Sequence, residues 1–236
     1  MIGSKLHATA FTIDEIPVQI RRVSRARRMT LRISSIDKKV QLSIPPHTKL
    51  RVAENFIIEK SEWIKSKVKE LPDKRSVRTT SSLPLLGRMM PVEPYDGKSA
   101  KLSSCGQKIC VPQAPETRNR AILAFYKLRA RDALAHASDY FCTQIGASYQ
   151  SLKIRDTRSR WGSCSAEGGL MYSWRLVLAP TEVLNYVAAH EVCHLVHMNH
   201  SDEFWDLVAT ICPAFRTHKR WLKENGSSLH QWSFDD

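Results

Sequence analysis

Three features of the 236-residue chain predict an α+β protein. A β-rich, basic N-terminal region with one helix (residues 1–115) is expected to precede a second domain (residues 116–236) built from a small sheet and a motif-bearing helix. First, residues 28–35 and 39–44 alternate apolar and polar side chains, the period of a half-buried strand, and Pro45-Pro46 stops the second run. Second, residues 49–71 and 116–145 carry apolar side chains three to four apart, the period of a helix with one buried face. Third, RWGSCS and LMYSWRLVL flank AEGG, whose glycines suit a turn needing positive φ, and a helical stretch opens directly after them at Pro180-Thr181-Glu182.

In chain order, residues 17–23 add a further strand rich in Val and Ile. The helix expected at 49–71 rests on Val52, Phe56, Ile57, Trp63, Ile64 and Val68, and Pro72 ends it. Residues 73–82, DKRSVRTTSS, read as a polar linker. Short strands follow over 83–112, broken by Pro91, Pro94, Asp96-Gly97 and Cys105-Gly106. The long helix after them places Ile122, Phe125, Tyr126, Leu134 and Phe141 at helical spacing, with Gly146 as its C-terminal cap. A short strand is expected at Ser151–Arg155. The second hairpin arm is expected to stay extended to Leu178, with Leu170, Tyr172, Trp174, Leu176 and Leu178 on one face. Ser201-Asp202-Glu203 opens another helix, as an N-cap followed by two acids that complement the helix dipole; Cys212-Pro213 breaks it, and a last helix runs to Asn225-Gly226. The sequence shows no internal repeat.

Composition is that of a globular chain, 42% hydrophobic and 25% charged, with no apolar run of the ~18 residues a membrane span needs. The first residues lack the basic and apolar segments of a signal peptide, so a cytoplasmic location is expected. In such a compartment the six cysteines are expected to be free thiols. The net charge of +13 is uneven: residues 1–150 hold 27 Lys and Arg against 13 Asp and Glu, residues 151–236 hold 9 against 10. Arg21, Arg22, Arg25, Arg27 and Arg28 are the densest basic cluster. A field of this sign attracts nucleic acid or another polyanion, or simply solvates the surface.

The chemistry concentrates in VAAHEVCHLVHMNHSDEFW, from residue 187. On a helix His190 and His194 lie one turn apart, about 6 Å along the axis, so both rings can meet one ion, and Glu191 can reach a water on it without being a ligand. A third ligand is needed, with a fourth position left for water. His200 is the candidate, because the chain must turn between His194 and Ser201; Met198-Asn199 is expected to make the reversal, Asn being tolerant of the left-handed region. Val183, Val187, His190 and His194 share one stripe, which puts the ligands on the core-facing side. His197 is expected near the site or on the surface, and Cys193 as a packed thiol. The arrangement predicts a Zn2+-dependent hydrolase in which Glu191 is general base for attack on a peptide bond. Tyr172, Tyr186, Arg158 and Arg160 are the candidates for contacting the transition state or substrate, and the strands at 158–164 or 170–178 for pairing with an extended peptide. Two other functions use the same residues: a metal-dependent nucleotide phosphohydrolase with arginines holding phosphates, and a basic nucleic-acid-binding protein with a structural zinc.

RWGSCS, WRLVLAP, HEVCHLVHMNHSDEFW and the following Cys212-Pro213 resemble the YgjP-like metallopeptidase family, also called domain of unknown function 45, relatives of the SprT-type zinc peptidases. The resemblance is specific from about Arg155 to Glu224 and looser ahead of it. It implies a zincin-like metallopeptidase domain, zinc on His190, His194 and His200, Glu191 as catalytic base, and a peptide or protein substrate.

Overall fold

The structure, a computed structural model, describes residues 9–34, 36–71 and 73–234. The chain forms two compact units, Met1–Asp73 and Lys74–Asp236.

In the first unit, strands β1 (Thr9–Ile13), β2 (Ile16–Arg22), β3 (Thr30–Ile33) and β4 (Val40–Ile44) form a sheet of order β1-β2-β4-β3. β2 and β4 pair in parallel in the centre, with an antiparallel strand on each side. The period-two pattern buries Val18 and Ile20 of β2 and Val40, Leu42 and Ile44 of β4 on one face. Helices α1 (Leu50–Glu59) and α2 (Ser61–Glu70) each bring buried isoleucine, Ile57 and Ile64, to that core. The single helix expected at 49–71 is thus two. Lys60, at φ −93° and ψ 8°, lies in the bridge region between them and interrupts the helical ladder. Strand β1 was not foreseen from sequence. Arg22 of the basic cluster is tied into the fold: its Nη1 donates to the carbonyls of Pro46 and Thr48 at 2.6 and 2.8 Å.

The second unit opens with β5 (Arg75–Ser76), β6 (Ser82–Leu85), β7 (Arg88–Tyr95), β8 (Lys101–Leu102) and β9 (Ile109–Pro112), then α3 (Pro115–Ile145). The sheet β6-β7-β9-β8 repeats the order and the antiparallel–parallel–antiparallel pattern of the first unit's sheet. That is a topological repeat which the residues themselves do not announce. The compact units divide at 73/74, whereas the sequence reading places a division at 115/116. Leu83, Leu85, Ile109 and Val111 of these strands share one core with Ile122, Phe125 and Tyr126 of α3, and the Tyr126 hydroxyl donates to the Pro84 carbonyl at 2.7 Å. The strands cannot be parted from α3 without exposing both apolar faces. Pro115 starts α3, where its missing N–H costs nothing, and Gly146 ends it at φ +65°.

After α3 come β10 (Ser151–Arg155), β11 (Gly162–Cys164) and β12 (Gly169–Ser173), a three-stranded sheet of order β10-β12-β11. The hairpin β11/β12 turns at Gly168, φ +74°, while Gly169 needs no positive φ. β12 ends at Ser173, short of the expected Leu178: Trp174–Leu178 is a 3-10 turn. The reason is burial. Trp174, Leu176, Val177 and Leu178 are all inside, whereas a strand would turn Val177 to the opposite face. Arg175 fixes the turn by bidentate bonds to Asp156 (2.7 and 3.2 Å) and by donating to the carbonyls of Leu229 and Trp232. Helices α4 (Thr181–Cys193), α5 (Asp202–Ile211) and α6 (Phe215–Asn225) and strand β13 (Trp232–Ser233), paired with β5, complete the unit. Among the described residues no helix is long and apolar enough to cross a membrane, and all six cysteines are free.

Candidate active site

α4 is the element on which the site is built. Val183, Val187, Ala188 and Val192 bury it in the core, and α3 packs along it. His190 and Glu191 lie in its last turn and His194 is its C-terminal cap, still in helical conformation. The chain then leaves through a turn at Leu195–Val196. Asn199 is not left-handed: among the described non-glycine residues only Asp14, Glu15, Lys38 and Leu86 have positive φ. The reversal is spread over the loop, and Ser201 then caps α5 by its backbone carbonyl, its side chain bonding the Glu203 carboxylate instead of a backbone N–H.

The result is a cluster of His190, His194 and His200, one nitrogen of each within 4.8 Å of the others. The Nε2 atoms of His190 and His200 face each other at 3.1 Å. The His194 Nδ1–H donates to the carbonyl of His197 at 2.9 Å, which fixes its tautomer and leaves Nε2 bare. So His197 does sit at the site, but through its backbone. Phe204, fully buried, is the floor: its ring centroid lies 4.4 Å from His194, 4.9 Å from His200 and 5.0 Å from His190. Trp205 stacks on His200 at 5.6 Å.

Protonation is opposed at His190 and His194. Burial pushes the His190 imidazole down to about 3, helped by His194, His200 and the ammonium of Lys219. Burial also lowers His194, against its bond to the His197 carbonyl. Neutral imidazole is the form that ligates a metal. Glu191 is 6% exposed, and burial raises its carboxyl to about 8, against the pull of Arg160. A cation beside it would favour the carboxylate.

Glu191 lies against β11. A Cβ placed on Gly162 would sit 2.5 Å from Glu191 Oε1 and 2.6 Å from its Cγ. Only glycine leaves room for that carboxyl beside the strand. β11 is an edge strand and β12 the central one, so of the two strands proposed for peptide pairing only 158–164 offers a free edge.

The other candidates separate. Tyr172 is fully buried, and its hydroxyl pairs with Ser138 Oγ at 3.0 Å in the core; burial holds it well above the usual phenol range. It packs in the core opposite Gly162, where the charge of Glu191 also acts on it. Tyr186 is one turn before His190, ring centroids 6.0 Å apart, and is pushed up to about 12 by burial and the Glu191 charge. Arg160 is exposed and close enough to act on Glu191, whereas Arg158 acts on His230. Burial and Glu191 push the Cys164 thiol up to about 11, which disfavours the thiolate at neutral pH. Cys193 is a buried thiol. Sequence reasoning missed Phe204, Trp205 and Gly162 as site residues. A glycine inside a strand was the available signal for the last; for the aromatics it was their position four and five residues after His200.

Three converging imidazoles, two of them disfavoured as cations by burial, with a buried carboxyl next to His190 in the chain, define a candidate metal centre of the hydrolase type. Residues 27–225 match the sequence model of the YgjP-like metallopeptidase domain, and the chain belongs to that family. No curated protein matches it.

Proposed function

We propose that the chain is a zinc-dependent peptidase with a zincin-like arrangement, in which His190, His194 and His200 hold the ion and Glu191 is the general base. One observation carries the reading: three converging imidazoles with a buried carboxyl next to them, on the edge of a strand. The donor set fits zinc. It is all nitrogen, three in number as in catalytic sites, and the 3.1 Å between two Nε2 atoms is close to the separation that tetrahedral ligation imposes. Such an ion supplies an activated water near neutral pH and polarises a carbonyl.

The chain's own groups do the rest. Glu191, held by α4 on one side and Gly162 on the other, takes a proton from the attacking water and returns it to the leaving amine. The His197 carbonyl keeps the His194 ring in the ligating tautomer. The free edge of β11 offers backbone groups to an extended substrate, a mode of binding that tolerates many sequences. Tyr186 and Arg160 are the polar groups best placed to meet developing negative charge. Six free thiols fit a cytoplasmic location.

The test is Glu191→Gln in the full chain with zinc restored. Cleavage of unfolded protein should fall by more than about 10³-fold, with one zinc per chain retained. Cleavage at the wild-type rate, or loss of zinc in the variant, refutes the assignment of Glu191.

A further inference from the structure

Residues 151–236 carry only nine Lys and Arg, yet four of them gather at one place. Arg216, Lys219, Arg220 and Lys223 are spaced i, i+3, i+4 and i+7 on α6, hence on one stripe, and all four are exposed. They line one wall of a cleft of about 790 Å³ between α6 and α5. Its floor is Trp205 and Phe215, stacked at 5.5 Å. Asp202 and Asp206 face the cations from α5, leaving an excess of two positive charges. Among the described residues none of the four cations forms an ion pair. Lys219 instead sits over the Trp205 ring at 4.0 Å and Arg216 over Phe215 at 5.2 Å.

The cleft adjoins the metal cluster. Trp205 is a wall of both, its ring 5.6 Å from that of His200 and 5.7 Å from that of His190. A substrate bound at the imidazoles therefore has a neighbouring portion within reach of unpaired ammonium and guanidinium groups over an aromatic floor. We infer that the α5–α6 cleft is a specificity subsite for an acidic side chain, and that the substrates are peptide segments with Asp or Glu close to the bond cleaved. This inference rests on the peptidase reading for the reaction, though not for the binding. The carboxylate would pair with Arg220 or Lys223, and its methylenes would lie on Trp205.

Two quenched peptides identical except for Glu or Gln near the scissile bond, with the position varied across a small set, give the test on the zinc-loaded full chain. The wild type should cleave the best Glu peptide about three- to tenfold faster in kcat/KM than its Gln twin, the range expected for one or two partly exposed ion pairs. R220E/K223E should bring the ratio below one, and R220Q/K223Q should bring it near one. Because each ratio is internal to one protein, a general loss of activity cannot imitate the effect. A wild-type ratio of one, or a ratio unmoved by charge reversal, overturns the subsite while leaving the peptidase reading intact. If the wild type cleaves no peptide, the peptidase reading fails instead. The subsite is then decided by fluorescence anisotropy with a labelled Glu-rich peptide: weaker binding to R220E/K223E by several-fold upholds it, and equal binding, which would place the peptide on the basic front of the chain, overturns it.

Discussion

Gly162→Ala is the most economical probe of the site, because it adds one methyl group and removes nothing. The new Cβ would lie 2.5 Å from Glu191 Oε1, 2.6 Å from Cγ and 2.7 Å from Cδ. Ordinary contact between such atoms begins near 3.4 Å, so something must move by roughly 1 Å. The carboxyl end could swing, but the Cγ contact means the whole side chain must shift, and Glu191 is only 6% exposed on a helix fixed by Val187, Ala188 and Val192. Displacing a catalytic group by about 1 Å costs on the order of 10²-fold in rate. Overpacking costs a further 1–3 kcal/mol of stability. The expected result is kcat lowered about 100-fold with KM within a few-fold and zinc content unchanged, measured by peptide cleavage and by metal analysis of the same sample. An unchanged kcat in a folded, zinc-loaded Gly162→Ala protein refutes the placement of Glu191 against β11 as a condition of catalysis.

Three further predictions follow from neighbouring observations. Phe204→Ala removes the buried floor beneath all three imidazoles, so it should cost about 3–5 kcal/mol in urea unfolding and weaken zinc binding at least tenfold in chelator competition; unaltered zinc affinity would show that the ring does not organise the cluster. Tyr172→Phe should leave kcat within twofold and lower stability by about 1 kcal/mol, since only the bond to Ser138 is lost; a hundredfold fall in kcat would return Tyr172 to the site. Burial, with Arg175 next in weight, depresses His230 from the ordinary 6.5 to about 4, so the unfolded chain takes up this proton first. Its contribution is therefore present above pH 6.5 and is lost as pH falls toward 4, by up to about 3 kcal/mol. The difference in urea midpoint between wild type and His230→Phe should shrink over that window, and a constant difference would contradict the depressed value.

Local patterns were legible in the sequence wherever a period or a punctuating residue set them. The alternation in β4, the helical spacing of α3 and Gly146 at its end were each dictated by neighbours a few residues away. So was the approach of His190 and His194, because one helical turn fixes their separation. His200 was reachable from the need for a third ligand, but its approach to His190 is a property of the loop. The break at Lys60 and the 3-10 turn at Trp174–Leu178 were not legible, since periodicity alone cannot tell a buried turn from a strand when both faces are covered. Nor was the division at 73/74, which depends on Leu83, Leu85, Ile109 and Val111 sharing one core with Ile122 and Tyr126.

The sequence by itself determined the chemical inventory and the short-range geometry of this protein. Those are three imidazoles and a carboxyl on a helix and the bend after it, and the strands and helices whose periods are written in consecutive residues. Only the tertiary structure decided that Gly162 presses on Glu191, that Phe204 and Trp205 enclose the imidazoles, that Tyr172 turns inward to Ser138, and that the four cations of α6 stand beside the site. Each of these is a contact between segments brought together by burial of the common core, and burial depends on the total apolar surface removed from water, which no local window of sequence contains.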